Sequence, residues 1–103
     1  MFKAVQKQWA HNIEKGLLFE RLGRYRFLYS DEQERLLILG TNEGCKGRDG
    51  EYIATVVFPR VTKWQPPDDG EVIGDEEREK IKTNIREAHA ALVPNSKVEF
   101  VET

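Results

Sequence analysis

The chain has a single cysteine, Cys45, so no disulfide can form within it, and a reducing compartment suits it. No apolar run approaches the ~20 residues that a bilayer span needs. The opening Met1-Phe2-Lys3-Ala4-Val5-Gln6-Lys7-Gln8 lacks the apolar stretch of a signal peptide. These absences predict a cytoplasmic protein with no membrane attachment. There is no strong excess of either charge: the formal net is −2, which provides no global pull towards nucleic acid or membrane. Internal repeats and dividing linkers are missing too, so residues 1–103 read as one domain. Apolar residues make up 39% and charged residues 33%, yet aromatic residues at 10% supply enough area for one small core and make disorder unexpected.

Phe2, Val5, Trp9 and Ile13 fall at spacings of three, four and four, with Ala10 beside them, which predicts a short amphipathic helix over 2–13 ended by Gly16. The period then changes. Leu17 to Leu22 reads as a strand, and Arg24 to Tyr29 alternates with Tyr25, Phe27 and Tyr29 on one face. Arg35-Leu36-Leu37-Ile38-Leu39 is nearly unbroken in apolar character, the pattern of a strand buried on both faces. Gly40 to Gly50 holds four glycines and no large apolar residue, which predicts a mobile hairpin loop. Tyr52 to Phe58 is β-branched and aromatic and stops at Pro59. Val61 to Trp64 reads as a short extension before the proline pair Pro66-Pro67.

Gly74-Asp75-Glu76-Glu77 suits a helix start, with three carboxylates at the positive end of the dipole. Ile81, Ile85, Ala88 and Leu92 form the apolar stripe, so a helix is expected over 74–93, followed by a strand from Ser96 to Glu102. The expected architecture is therefore α+β. A single antiparallel sheet of about five strands carries the C-terminal helix on one face, with a short helix at the N-terminus.

Chemistry is hard to assemble. Gly40 to Gly47 superficially resembles a phosphate-binding loop, but the second glycine is misplaced, no hydroxyl follows Lys46, and a strand rather than a helix comes next. His11, Cys45 and His89 lack zinc-ligand spacing, and Cys45 has no identifiable base. No triad, carboxylate pair or cofactor motif can be built, so the expectation is a non-enzyme with no catalytic residue, metal or cofactor. Gly23-Arg24-Tyr25-Arg26-Phe27-Leu28-Tyr29 has some likeness to an RNA-stacking strand, and Arg21, Arg24, Tyr25 and Arg26 make a nucleic-acid module the alternative reading. Its register and element order are wrong for the common RNA-recognition domain, which disfavours nucleic acid.

Charge distribution carries more. Residues 68–79 hold seven acids against Arg78 alone, a local charge of −6. The helix dipole accounts for Asp75, Glu76 and Glu77, but not for Asp68, Asp69 and Glu71. Those three, beside the stiff Trp64-Gln65-Pro66-Pro67 corner, are the candidate docking residues for a basic protein, with Trp64 as the anchor and the acids as its charged rim. A solvated acidic loop and a Trp64 that plugs the gap between sheet and helix are the plain alternatives.

Residues 57–92 run Val-Phe-Pro-Arg-Val-Thr-Lys-Trp-Gln-Pro-Pro, then an acidic stretch, then Val-Ile-Gly-Asp-Glu-Glu-Arg-Glu-Lys-Ile and Asn-Ile-Arg-Glu-Ala. This pattern, with the Gly23-Arg24-Tyr25 strand start, resembles the bacterial polymorphic-toxin immunity family numbered seventy-four. Gly74 stands where that family carries Ser or Thr at the helix cap, and residues 1–15 are an added segment. The resemblance implies a small inhibitor that binds and neutralises a cognate toxin domain by occlusion, which needs no catalytic residues. The toxin's identity and the oligomeric state are left open.

Overall fold

The structure is a computed structural model that describes residues 3–6, 9–12, 16–22, 25–46, 52–92 and 96–102. Burial alternates along the extended middle strands: β3 (Leu17–Arg21), β4 (Arg26–Ser30), β5 (Leu36–Lys46) and β6 (Tyr52–Val57). Two short strands precede them, β1 (Lys3–Gln6) and β2 (Trp9–Asn12). The helix α1 (Asp75–Leu92) and the strand β7 (Ser96–Val101) complete the chain. The fold is α+β, and the expected helix over 74–93 is present as α1.

Sheet order follows chain order, β1 to β7. Strands β1 to β6 are antiparallel neighbours, but β7 runs parallel to β6, with Tyr52 opposite Ser96 and Val57 opposite Val101. The purely antiparallel sheet expected from the sequence is thus corrected to a mixed one. The cause lies in the connection: α1 carries the chain back along the sheet, and a helical crossover between neighbouring strands makes them parallel. Five strands, β3 to β7, hold the core-forming residues, and the N-terminal pair extends this sheet.

The short N-terminal helix expected over 2–13 is not what the described residues form. Trp9 to Asn12 pair with Glu20 to Leu17, so a ready strand neighbour takes the backbone groups that a helix would have satisfied internally. Gly16 has a φ of 68°, and so serves the turn between β2 and β3 rather than a helix end. A second correction concerns Gly40 to Gly50. Strand β5 continues through Lys46 and pairs with β6 across an irregularity between Asn42 and Cys45, so the glycines there mark a distorted strand. Residues 47–50 of that expected loop lie outside the described residues.

The sheet curls round α1, which approaches β7 at one edge and β1 and β2 at the other. Its concave face supplies Phe19, Phe27, Tyr29, Leu37, Leu39, Val56 and Phe58, all buried against Ile81, Ile85 and Ala88. Phe19 and Phe27 meet with ring centroids 4.7 Å apart. Each such fully buried side chain contributes about 1.5–3 kcal/mol. Among the described residues, the convex face has no such cover. Leu36 and Ile38, expected to be buried like Leu37 and Leu39, remain 41% and 37% exposed. Among the described residues only one layer lies against this sheet, so the unbroken apolar run is half buried. Among the described residues, no helix is long and apolar enough to cross a membrane.

Candidate functional site

The segment between β6 and α1 carries the residues that the sequence singled out. Its position is fixed by the Gln65 N–H, which donates to the Leu36 carbonyl (2.7 Å), and by the Ile73 N–H, which donates to Thr62 (2.8 Å). A bridge between Lys63 and Val72 closes it. Pinned in this way, Trp64 turns inward and is only 4% exposed. Its ring lies over Tyr29, centroids 6.3 Å apart and 25° from parallel. Trp64 therefore covers the core edge rather than protruding from it.

Arg35 covers Trp64 in turn, its guanidinium carbon 4.5 Å from the ring centroid. The same guanidinium pairs with Asp31 (2.6 Å) and Glu77 (2.7 Å), tying the β4–β5 turn to the first turn of α1. Asp31 also shapes that turn: its Oδ1 accepts from the Gln33 N–H (3.1 Å) and the Arg35 N–H (2.9 Å), while Glu34 adopts a φ of 61°. Burial opposes the charge on Arg35, but the Asp31 and Glu77 carboxylates outweigh it and hold the guanidinium above its ordinary pKa.

Around this support the acidic residues gather. Asp68, Asp69 and Glu71 are exposed, as expected. Asp68 and Glu71 share a shallow cavity of about 290 Å³ with Trp64, Arg35 and Glu77. Asp69 does not line it. On the other side of the Arg35–Glu77 pair lies a cavity of about 460 Å³, bounded by Tyr29, Trp64 and Ile81 and rimmed by Glu32, Asp75 and Glu76. The −6 segment therefore folds into a band, with its loop acids and helix-start acids on either side of one arginine.

Tyr29 and Asn84 form the floor. Asn84 Nδ2 donates to the Tyr29 hydroxyl (2.9 Å), and both side chains are buried. Burial, foremost, pushes the Tyr29 phenol up from 10.0 to about 12, with the Asn84 bond opposing the shift. Sequence reasoning missed Asp31, Arg35 and this pair. Asn84 did leave a trace: it sits at the third place after Ile81 and the fourth before Ala88, a polar residue on the apolar stripe.

The remaining candidates lie elsewhere. Arg24 is outside the described residues. Tyr25 is 63% exposed and Arg26 is exposed at the start of β4, with Arg21 half-buried at the end of β3. His11 belongs to β2 and Cys45 to β5, while buried His89 joins α1 to β7 through Ser96 Oγ, 2.8 Å from its Nδ1. Among the described residues, no group of three His, Cys, Asp or Glu is placed to hold a metal ion. No family model, curated protein or solved structure matches the chain.

Proposed function

We propose that this protein is a cytoplasmic binding protein that neutralises a basic partner by occlusion, with an immunity protein against a cognate toxin domain as its best reading. The observation that carries this is the convergence of acids from two segments, 68–71 and 75–77, around Arg35 and the buried Trp64 beneath it. Such a band attracts a basic surface, and its rigid backing avoids ordering losses on binding. Trp64, Asp68, Asp69 and Glu71 remain the proposed docking residues. Trp64 acts as the stiff wall and the three acids act as the charged rim. Occlusion requires no catalytic group.

The test is surface plasmon resonance against a toxin domain encoded beside this gene. Asp68→Asn, Asp69→Asn and Glu71→Gln together should slow association about tenfold at low salt and leave dissociation nearly unchanged, as rim charges do. Raised salt on the unmodified protein should imitate the change. An unchanged association rate would remove the band from the interface, and a neighbourhood of ordinary metabolic genes would remove the immunity reading. The exposed Tyr25 beside Arg26 favours one alternative, a nucleic-acid module. Short RNA or DNA bound in a strongly salt-dependent way would select it.

A further inference from the structure

We infer that the groove beside α1 binds an arginine side chain in an extended basic segment of the partner, with the guanidinium seated at Asn84. This rests on the docking reading and extends it from the 68–71 loop to a second, deeper site. The 460 Å³ cavity shares Glu32, Lys80 and Asn84 with a neighbouring cavity of about 530 Å³ that continues along the helix to Glu87. The two adjoin at these residues as a groove along one face of α1. Among the described residues, seven carboxylates line it against the two cations Arg35 and Lys80, so a cationic occupant is favoured and an anionic one repelled.

The floor specifies more than charge. Asn84 is 7% exposed and Tyr29 is 1% exposed, and the only hydrogen bond of either side chain among the described residues is the one between them. Among the described residues, Asn84 Oδ1 is therefore an acceptor without a donor, and the Tyr29 hydroxyl proton is a donor without an acceptor. Buried capacity of this kind is costly to leave unfilled, and both residues line the larger cavity. An arginine within a peptide answers both needs. Its guanidinium donates to Asn84 Oδ1 and, through the same planar fork, to a rim carboxylate such as Glu32 or Glu76. A backbone carbonyl of the peptide accepts from Tyr29. Lysine satisfies the charge but carries a compact, strongly hydrated ammonium that cannot bridge two acceptors in a fixed plane.

The test is a titration of the full chain with a capped Gly-Arg-Gly-Arg-Gly peptide and with its Gly-Lys-Gly-Lys-Gly counterpart, followed by ¹⁵N NMR. The arginine peptide should bind about fivefold tighter and shift the Asn84 side-chain amide saturably. Asn84→Leu should erase this preference, and Asn84→Ser serves the same purpose if the leucine variant does not fold. Tyr29→Phe should weaken both peptides while keeping the order. Equal affinity of the two peptides for the unmodified protein overturns the proposal, as does a preference that survives loss of Asn84. In either case salt-sensitive binding of both peptides leaves the acidic docking reading standing. Binding of neither peptide overturns the groove site, and the toxin-domain measurement then judges docking by itself.

Discussion

Two arginines stack on aromatic rings near the start of α1, yet their surroundings differ in kind. Arg78 is 5% exposed, with its guanidinium carbon 4.0 Å from the Phe58 ring centroid. Its donors go to backbone carbonyls: Nη2 to Phe58 (3.0 Å) and Nη1 to Pro59 (2.6 Å). The nearest carboxylate, Glu102, is 3.5 Å away and is shared with Lys82, which holds Glu102 below its ordinary pKa. Arg35 instead is matched by two carboxylates beside open cavities. The first arginine seals the seam between β6 and α1. Arg78 also borders a cavity, of about 340 Å³, where among the described residues Asp75, Glu79 and Glu102 face Arg60 and itself, whereas the 460 Å³ cavity beside Arg35 sets five carboxylates against Arg35 and Lys80. That larger surplus is what a docking surface uses.

The largest expected effect sets the scale for this comparison. Ile85, fully buried on α1 between the two regions, should lose about 2–5 kcal/mol of stability as Ile85→Ala, measured by urea unfolding. A loss below about 0.5 kcal/mol would place the helix face wrongly. Next comes Arg78→Met, which keeps some packing on Phe58 but takes the side-chain donor from the buried Phe58 carbonyl, while the Pro59 carbonyl keeps the Thr62 hydroxyl. A cost of about 2–4 kcal/mol is expected by the same measurement. A negligible cost would break the distinction between seam and site.

The Tyr29 phenol sharpens it through pH. Its folded pKa is raised to about 12, so the unfolded chain loses this proton first as pH rises. Stability from this group is complete below pH 10 and declines towards 12, by about 2–3 kcal/mol across that window. Urea unfolding between pH 9 and 12 should show this slope, and Tyr29→Phe should flatten it. Smallest is Arg35→Met, about 1 kcal/mol, because the Asp31 turn keeps its backbone bonds and Glu77 is partly exposed to water. A loss equal to that of Arg78→Met would make Arg35 a seam residue as well.

Much of the fold was legible from local pattern. The stripe Ile81, Ile85 and Ala88 located α1, and alternation in Arg24 to Tyr29 put Phe27 and Tyr29 on the core face, although Tyr25, expected beside them, precedes β4 and is exposed. The N-terminal segment misled because Val5 and Trp9, which fall at helical spacing, lie in two short strands, and the pairing of β2 with β3 decided between the two readings. In the site, Asp68, Asp69 and Glu71 were visible as uncompensated charge, whereas Arg35 was one basic residue among many. Nothing local marks an arginine that will meet a carboxylate forty-two positions away.

The amino-acid order by itself determined the helix, the inner face of β4 and the excess of acid near residues 68–79. These follow from periodicity and composition, which act over a few residues. Only the tertiary structure decided that β7 runs parallel to β6, that Trp64 is buried beneath Arg35, and that Asn84 and Tyr29 meet under an acidic groove. Those outcomes depend on the curl of one sheet around one helix, and curl is a property of many residues packed together rather than of any stretch of chain.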